Sequence, residues 1–167
     1  SRIVTTYRMV NYQIPRLWAW ADTALRSMVA SPTASFVAPC GVLQLHWRAP
    51  MLELPSARAL MFPGLRFSDC ETIVYAGKTG EKSIWGGYLV ENIVQAIARD
   101  VLCATHQKHL SNIVMQAHDE LVAVEDAHVA QDLARAIMED LRTPPAWLRG
   151  CPLDVEGSVA DRYGDAK

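Results

Sequence analysis

The feature that most constrains the fold is a long amphipathic segment, which predicts a helix over residues 88–106. Its apolar residues recur at every fourth position and must be buried against other elements. They are Leu89, Ile93, Ile97 and Val101. At 1.5 Å per residue this helix is about 28 Å long. A helix of that length needs a core to cover its apolar stripe, and a chain of 167 residues is long enough to build one.

A row of polar residues follows the same spacing on another face of this helix. Glu91, Gln95 and Arg99 form the row. An ordinary solvated face explains such a row, and so do long hydrogen-bonding side chains directed at an extended ligand. The spacing alone favours the solvated face.

Two short apolar segments joined by three polar residues predict a β-hairpin within residues 113–124. His118, Asp119 and Glu120 form its tip. Two carboxylates held close together repel each other unless a cation, a proton or water screens them. Carboxylate oxygens suit Mg²⁺, and a neighbouring histidine can orient a ligand or transfer a proton. The tip is therefore a candidate metal site, although a solvated turn gives the same pattern.

The remaining patterns predict an α+β chain. We expect a helix over residues 15–30, a small antiparallel sheet within 36–76 and a polar loop over 76–82. Asp126 is expected to cap a last helix that ends near Leu141. The final strand is expected at Leu153–Gly157.

Charge and composition limit the possible partners. The chain has 16 Lys and Arg against 18 Asp and Glu, a net charge of −2. This balance argues against an obvious electrostatic nucleic-acid binder, but a local groove can still be basic. No apolar run approaches the roughly 20 residues that cross a bilayer, so no membrane partner is expected. Four dispersed cysteines fit the reduced thiols of a cytoplasmic protein.

Residues 91–102 and 114–122 together resemble family-A DNA polymerases, the relatives of bacterial DNA polymerase I, and above all their bacteriophage members. The second segment is similar to the hairpin of the third catalytic motif in the palm. The first is similar to the preceding long helix, whose polar face follows the minor groove of the primer–template duplex. Leu54–Arg58 and Trp85–Gly87 also resemble the phage branch, although Ala57 replaces its usual glycine.

The resemblance implies an α+β fold that is the C-terminal part of a right-hand polymerase. This fold has an antiparallel palm sheet with a catalytic β-hairpin and packed long helices. Residues 1–167 would form a single region with four parts. These are a helical segment after the fingers (1–35), a small β region (36–82), a long duplex-contacting helix (83–110), and the palm hairpin with a helix and the last strand (111–167).

The same resemblance implies two Mg²⁺ ions, shared with an aspartate that this chain does not contain. Asp119 would bind metal, and Glu120 would be an auxiliary carboxylate of the metal site. His118 would lie near the primer terminus. All three would belong to the catalytic site of template-directed nucleotidyl transfer.

The resemblance also implies a set of DNA-binding residues on the long helix. Gln95 matches both the phage and the cellular branch, and Glu91 and Arg99 would face the duplex beside it. Glu91 stands where the cellular branch has asparagine, and Asn92 follows it directly. An ion pair with a neighbouring carboxylate is the alternative role of Arg99.

Two family motifs are not found in this sequence. They are the Asp-Tyr-Ser strand of the first motif and the fingers helix of the second, which carries Arg, Lys and Tyr-Gly. The chain would thus be a C-terminal fragment or split subunit of a DNA-directed DNA polymerase in DNA replication, inactive alone. Its partners would be primer–template DNA, deoxynucleoside triphosphates and the remaining polymerase polypeptide, in the cytoplasm of a bacterial host. The alternatives are a non-catalytic remnant that binds DNA or a replication protein, and an unrelated α+β interaction module.

Overall fold

The computed structural model describes residues 2–31, 46–48 and 50–166. The helices of this part are α1 (Arg2–Val10), α2 (Gln13–Ala30), α3 (Gly86–Lys108) and α4 (Ala130–Arg142). Its strands are β1 (His46–Arg48), β2 (Met51–Glu53), β3 (Ala59–Met61), β4 (Arg66–Phe67), β5 (Ile73–Gly77), β6 (Gly80–Ser83), β7 (Ile113–Ala117) and β8 (Glu120–Ala123). The predicted α+β class is confirmed. No helix within the described ranges is both long and apolar enough to cross a membrane.

The chain divides into two compact units, residues 1–95 and 96–167. Helix α3 begins in the first unit and ends in the second. Its predicted apolar stripe is confirmed, because all four of its residues are buried.

Helix α2 supplies much of the core of the first unit. Four of its residues are buried, at the three- and four-residue spacings of one helix face. They are Ala21, Ala24, Leu25 and Met28. The predicted helix is confirmed, and it starts two residues earlier than predicted, at Gln13.

The predicted small sheet is present as two separate antiparallel sheets of three strands each, in the orders β1–β2–β3 and β4–β5–β6. Leu52 of β2 pairs with Leu60 of β3, and Ile73 of β5 pairs with Phe67 of β4. The backbone of β1 is described from His46, so residues 42–45 of the predicted first strand lie outside the described residues.

The prediction of a polar loop over residues 76–82 is wrong. Gly77 pairs with Gly80, which makes this segment a hairpin with a two-residue turn between β5 and β6. Gly80 has a φ of +122°, a backbone conformation that favours glycine. All four residues of β6 are exposed, so the strand lacks the alternation of apolar and polar residues that would have predicted it.

Helix α3 begins at Gly86, where its first turn lies directly against α2. The Gly86 N–H donates to Asp22 Oδ1 at 3.2 Å, so a residue of α2 caps the start of α3. A Cβ atom at residue 86 would lie 2.5 Å from the Asp22 backbone nitrogen and closer still to the Trp18 carbonyl oxygen. This close approach requires glycine. The rings of Trp18 and Trp85 meet edge to face beside it, 5.9 Å apart.

In the second unit, α4 packs through Ile137 and ends at Arg142, one residue beyond the predicted end. Asp126 does not cap this helix with its side chain, so that prediction is wrong. Its backbone carbonyl instead accepts the N–H groups of Val129 and Ala130, each at 3.0 Å. The helix consequently begins four residues after Asp126.

The final strand predicted over residues 153–157 is absent from the described structure. Arg142 instead holds this segment, donating from Nε to Asp154 Oδ1 at 3.2 Å and from Nη2 to the Val155 carbonyl at 2.5 Å. Asp154 also accepts the Val155 N–H at 2.8 Å. These bonds replace the pairing that a neighbouring strand would provide.

Candidate active site at the hairpin tip

Strands β7 and β8 form the predicted hairpin. Ala117 pairs with Glu120, so His118 and Asp119 are the two residues of the turn. His118 has a φ of +50°, whereas Asp119 does not have a positive φ, a combination found in type II′ turns. Glycine is usual at the first of the two turn residues. For any other residue this backbone conformation costs on the order of 1–3 kcal/mol.

All three tip residues are exposed, and only Glu120 has a side-chain partner among the residues that the structure describes. Glu120 Oε2 accepts the hydroxyl of Tyr163 at 3.1 Å. This hydrogen bond and the charge of Glu120 raise the pKa of Tyr163. Within the part of the chain that the structure describes, His118 and Asp119 make no side-chain hydrogen bond or ion pair. The Asp119 carboxylate is therefore free to bind a cation.

The hairpin is held near its tip and at its opposite end within the second unit. His106 Nδ1 of α3 lies 3.1 Å from Gln116 Oε1 of β7. A register shift between Ile113 and Met115 marks a β-bulge, a feature that bends a strand. Ile113 is buried, so the hairpin is anchored at the end opposite the tip.

The tip alone offers an incomplete set of metal ligands. Among residues 2–31, 46–48 and 50–166, no group of three or more His, Cys, Asp or Glu side chains could hold a metal ion. The carboxylates of Asp119 and Glu120 are nevertheless of the type that Mg²⁺ prefers, and this ion commonly completes its shell with water and substrate phosphates. The donor set fits part of a Mg²⁺ site.

The predicted DNA-binding residues lie on α3. Glu91, Gln95 and Arg99 are exposed, and Gln95 Nε2 donates to Glu91 Oε1 at 3.2 Å. Arg99 has no ion-pair partner among the described residues. Asn92 is half-buried and donates to the Tyr88 carbonyl at 2.7 Å, so its amide group bonds to its own helix.

Helix geometry places two apolar residues on the same exposed face. Val94 is 59 % exposed, and Ala98 lies one turn further along. Sequence reasoning missed both because apolar residues are expected to be buried, although their positions directly before Gln95 and Arg99 are a usable signal. Tyr163 was also missed, and no local pattern connects it with Glu120, 43 positions away.

The sites fall into different units of the chain. Glu91, Asn92 and Gln95 belong to the first unit, whereas Arg99 belongs to the second. The hairpin tip also belongs to the second unit. The tip residues come together on one turn, and Glu91 and Gln95 share one exposed face of α3, which the half-buried Asn92 does not join.

Comparison with known proteins points to polymerases. A DNA polymerase of Bacillus phage SP02 is 32 % identical over 183 residues, a match that covers 96 % of this chain and 26 % of the phage protein. The chain thus spans about a quarter of the length of this relative. No family model matches the chain, and no solved structure matches it. The match supports a relationship to DNA polymerases.

Proposed function

We propose that this chain is the C-terminal part of a family-A DNA-directed DNA polymerase and carries its third catalytic motif. The observation that carries the proposal is the exposed turn at the hairpin tip, where a strained His118 precedes an Asp119 that has no described partner. The similarity to a phage DNA polymerase over nearly the whole chain supports the same conclusion. The activity is template-directed nucleotidyl transfer in DNA replication, in the cytoplasm of a bacterial host.

Asp119 is the residue of this chain that would bind Mg²⁺, with the Glu120 carboxylate beside it. When bound, Mg²⁺ lowers the pKa of the primer 3′-hydroxyl and neutralises charge on the triphosphate. Asp119 keeps its carboxylate exposed at the tip, and within the described ranges no ion pair holds it that a cation would have to displace. His118 lies next to it and would contact the primer terminus. The aspartate of the first motif belongs to the rest of the polymerase.

The exposed face of α3 is the proposed contact with the primer–template duplex. The Gln95 amide can both donate and accept hydrogen bonds, as the acceptors and the single donor in the minor groove require. Arg99, which has no ion-pair partner in the described part of the chain, supplies a cation that can approach phosphates. Val94 and Ala98 are small, so they allow the helix to approach the groove closely. Such contacts test the shape of a base pair more than its identity.

The remaining polymerase polypeptide is the proposed protein partner, on the same chain or a separate one. Helix α1 has no buried residue, and its Ile3 is 82 % exposed and its Val10 72 % exposed. In the second unit, Val114 of β7 is exposed, and so is Val124 directly after β8. Apolar surfaces of this kind, and a sheet of only two strands, are typical of a part that is covered in its assembly.

Substitution of Asp119 tests the proposal. Asn keeps the shape of Asp but removes the charge that holds a divalent cation. In the polymerase completed with the missing motifs, Asp119→Asn should lower single-turnover incorporation by thousands-fold. This corresponds to several kcal/mol at about 1.4 kcal/mol per tenfold. Primer–template binding should stay near normal. Glu120→Gln is the matched variant, and it should do less damage because a neighbouring carboxylate tunes a metal site without anchoring it.

The incorporation rate that remains in Asp119→Asn decides between a catalytic site and a solvated turn. If Asp119→Asn keeps more than about a tenth of the parental rate, a loss below roughly 1.4 kcal/mol, the tip is a solvated turn and the catalytic assignment is wrong. If the polymerase completed with the parent chain binds primer–template but incorporates no nucleotide, the result would instead support a non-catalytic DNA-binding remnant.

A further inference from the structure

We propose that Tyr163 is a positioning residue for Glu120, fixing the direction of this carboxylate at the hairpin tip. The inference rests on the proposed function and adds to it a residue from outside the resembling motifs. The Tyr163 hydroxyl donates to Glu120 Oε2 at 3.1 Å, across 43 positions of sequence. Within the described residues it is the one side-chain partner of the tip.

The backbone around Tyr163 places its ring. Tyr163–Asp165 forms a single turn of 3₁₀ helix. This turn is closed by two backbone hydrogen bonds, from Asp165 N to the Arg162 carbonyl at 3.0 Å and from Ala166 N to the Tyr163 carbonyl at 3.2 Å. The ring thus extends from an ordered turn, and its hydroxyl is a defined donor for the hairpin.

The hydrogen bond from Tyr163 leaves one carboxylate oxygen of Glu120 available to bind a cation. It occupies Oε2 of Glu120, while Oε1 has no hydrogen-bond partner among the described residues that would compete with a metal ion. A glutamate side chain loses substantial rotamer freedom when it is ordered, and a hydroxyl that orders it beforehand reduces this cost on metal binding. Partners that hold the carboxylates of metal sites typically change metal affinity by tenfold or more when removed.

A double-mutant cycle on Mn²⁺ affinity tests the positioning role. Mn²⁺ binding is followed by electron paramagnetic resonance in the completed polymerase with primer–template and a non-hydrolysable nucleotide. Tyr163→Phe should weaken Mn²⁺ binding by on the order of tenfold. In the Glu120→Gln background the same change should have little further effect, because Tyr163 acts through Glu120. At saturating Mn²⁺ the single-turnover rate of Tyr163→Phe should return close to that of the parent. Tyr12→Phe is the matched control, since Tyr12 is as exposed as Tyr163 and lies outside the site.

Trypsin cleavage of this chain tests the contact without any polymerase activity. The bond after Arg162 directly precedes Tyr163, so release of the hydroxyl should expose it. Tyr163→Phe and Glu120→Ala should each speed this cleavage about twofold to tenfold, the factor for one ordinary hydrogen bond. Tyr12→Phe should leave it unchanged.

The two measurements separate the ways in which the inference can fail. Unchanged cleavage would show that the contact does not hold in solution, which overturns the inference and leaves the Asp119 test to judge the proposed function. Faster cleavage with unchanged Mn²⁺ affinity, or additive effects in the cycle, would overturn the positioning role. A parent polymerase that binds no Mn²⁺ would contradict the proposed function, and the inference with it.

Discussion

Ala57 occupies a backbone conformation that an alanine rarely adopts, with a φ of +64°. It lies in a tight turn in which its N–H donates to the Leu54 carbonyl at 2.9 Å and the Leu54 N–H donates to the Arg58 carbonyl at 2.7 Å. These bonds hold the strained residue in place. Glycine, which the resemblance to phage polymerases leads us to expect at this position, would avoid the strain because it has no Cβ atom to clash.

Replacing Ala57 by glycine should therefore stabilise the protein. The left-handed conformation costs an alanine roughly 1–2 kcal/mol, part of which the greater freedom of an unfolded glycine offsets. We expect Ala57→Gly to raise the free energy of unfolding by about 0.5–1 kcal/mol, measured by urea denaturation. Ala98→Gly in the exposed interior of α3 is the control, and it should lower that free energy by about 1 kcal/mol. A destabilised Ala57→Gly would show that the turn is not strained.

Substitution of Gln95 should weaken the interaction with DNA and leave the fold unchanged. Its side chain is exposed and, within the described part of the chain, bonds only to Glu91 of the same helix. The buried stripe of α3 is untouched by the change. Gln95→Ala in the completed polymerase should weaken primer–template binding, or slow extension past a mismatched terminus, by roughly tenfold, as expected for one lost hydrogen-bonding group. Its melting temperature should match that of the parent. Gln107→Ala, an exposed position on another face of α3, should change neither. A collapse of the melting temperature with Gln95→Ala would make Gln95 a structural residue.

At the scale of elements, α3 and α4 are joined by a small charged cluster in the second unit. The carboxylate of Asp140 in α4 accepts a hydrogen bond from the ammonium of Lys108 and forms an ion pair with it. His109 Nε2 lies 2.8 Å from Asp140 Oδ2. The hydrogen bond from Lys108, and then that from His109, hold the pKa of Asp140 below its ordinary value of 3.8. The cluster also places a cation at the C-terminus of α3, where the helix dipole favours positive charge.

Asp140→Asn should destabilise the protein in a pH-dependent way. A lowered pKa means that the Asp140 carboxylate stabilises the folded state above the pKa of an unfolded aspartate, and that this stabilisation is lost as the pH falls through the lower folded pKa. We expect a loss of about 1 kcal/mol near pH 6 that shrinks as the pH falls below the ordinary pKa of aspartate. Urea denaturation across this range measures it. The neighbouring exposed Glu139→Gln should show no such loss, and a penalty for Asp140→Asn that does not depend on pH would contradict the assigned ion pair.

The elements that could be predicted from the sequence are those whose signal is local. Helices α2 and α3 follow from apolar spacing alone, and the β7–β8 hairpin follows from two apolar segments around a polar tip. Strand β6 could not be predicted, because its exposed residues carry no alternation. The prediction of a strand over 153–157 was wrong because the conformation of that segment is determined by Arg142, which is eleven or more positions away.

The candidate site also has features that could be predicted from local sequence and features that could not. His118, Asp119 and Glu120 are adjacent in sequence, so their meeting on one turn could be predicted. The Tyr163 hydroxyl reaches Glu120 through the tertiary structure, which sequence spacing does not encode. The strain at His118 likewise needed the observed φ, since histidine at a turn carries no such signal by itself.

At the scale of the whole molecule, we propose that this chain supplies one part of a polymerase active site. The chain spans about a quarter of the phage polymerase it resembles. It has a net charge of −2, so the basic surfaces that hold most of the DNA backbone would lie in the rest of the enzyme. The exposed apolar residues of α1 are consistent with a surface that the rest of the enzyme covers.

Primer extension with and without the missing motifs tests this central claim most directly. The purified chain is incubated with primer–template, deoxynucleoside triphosphates and Mg²⁺, alone and together with the polypeptide that carries the first and second motifs. We predict no extension by the chain alone, because one aspartate cannot position both metal ions, and extension when the two polypeptides are combined. The chain with Asp119→Asn should fail to restore extension, which assigns the activity to this tip. Robust extension by the chain alone, or equal extension with Asp119→Asn, would contradict the account.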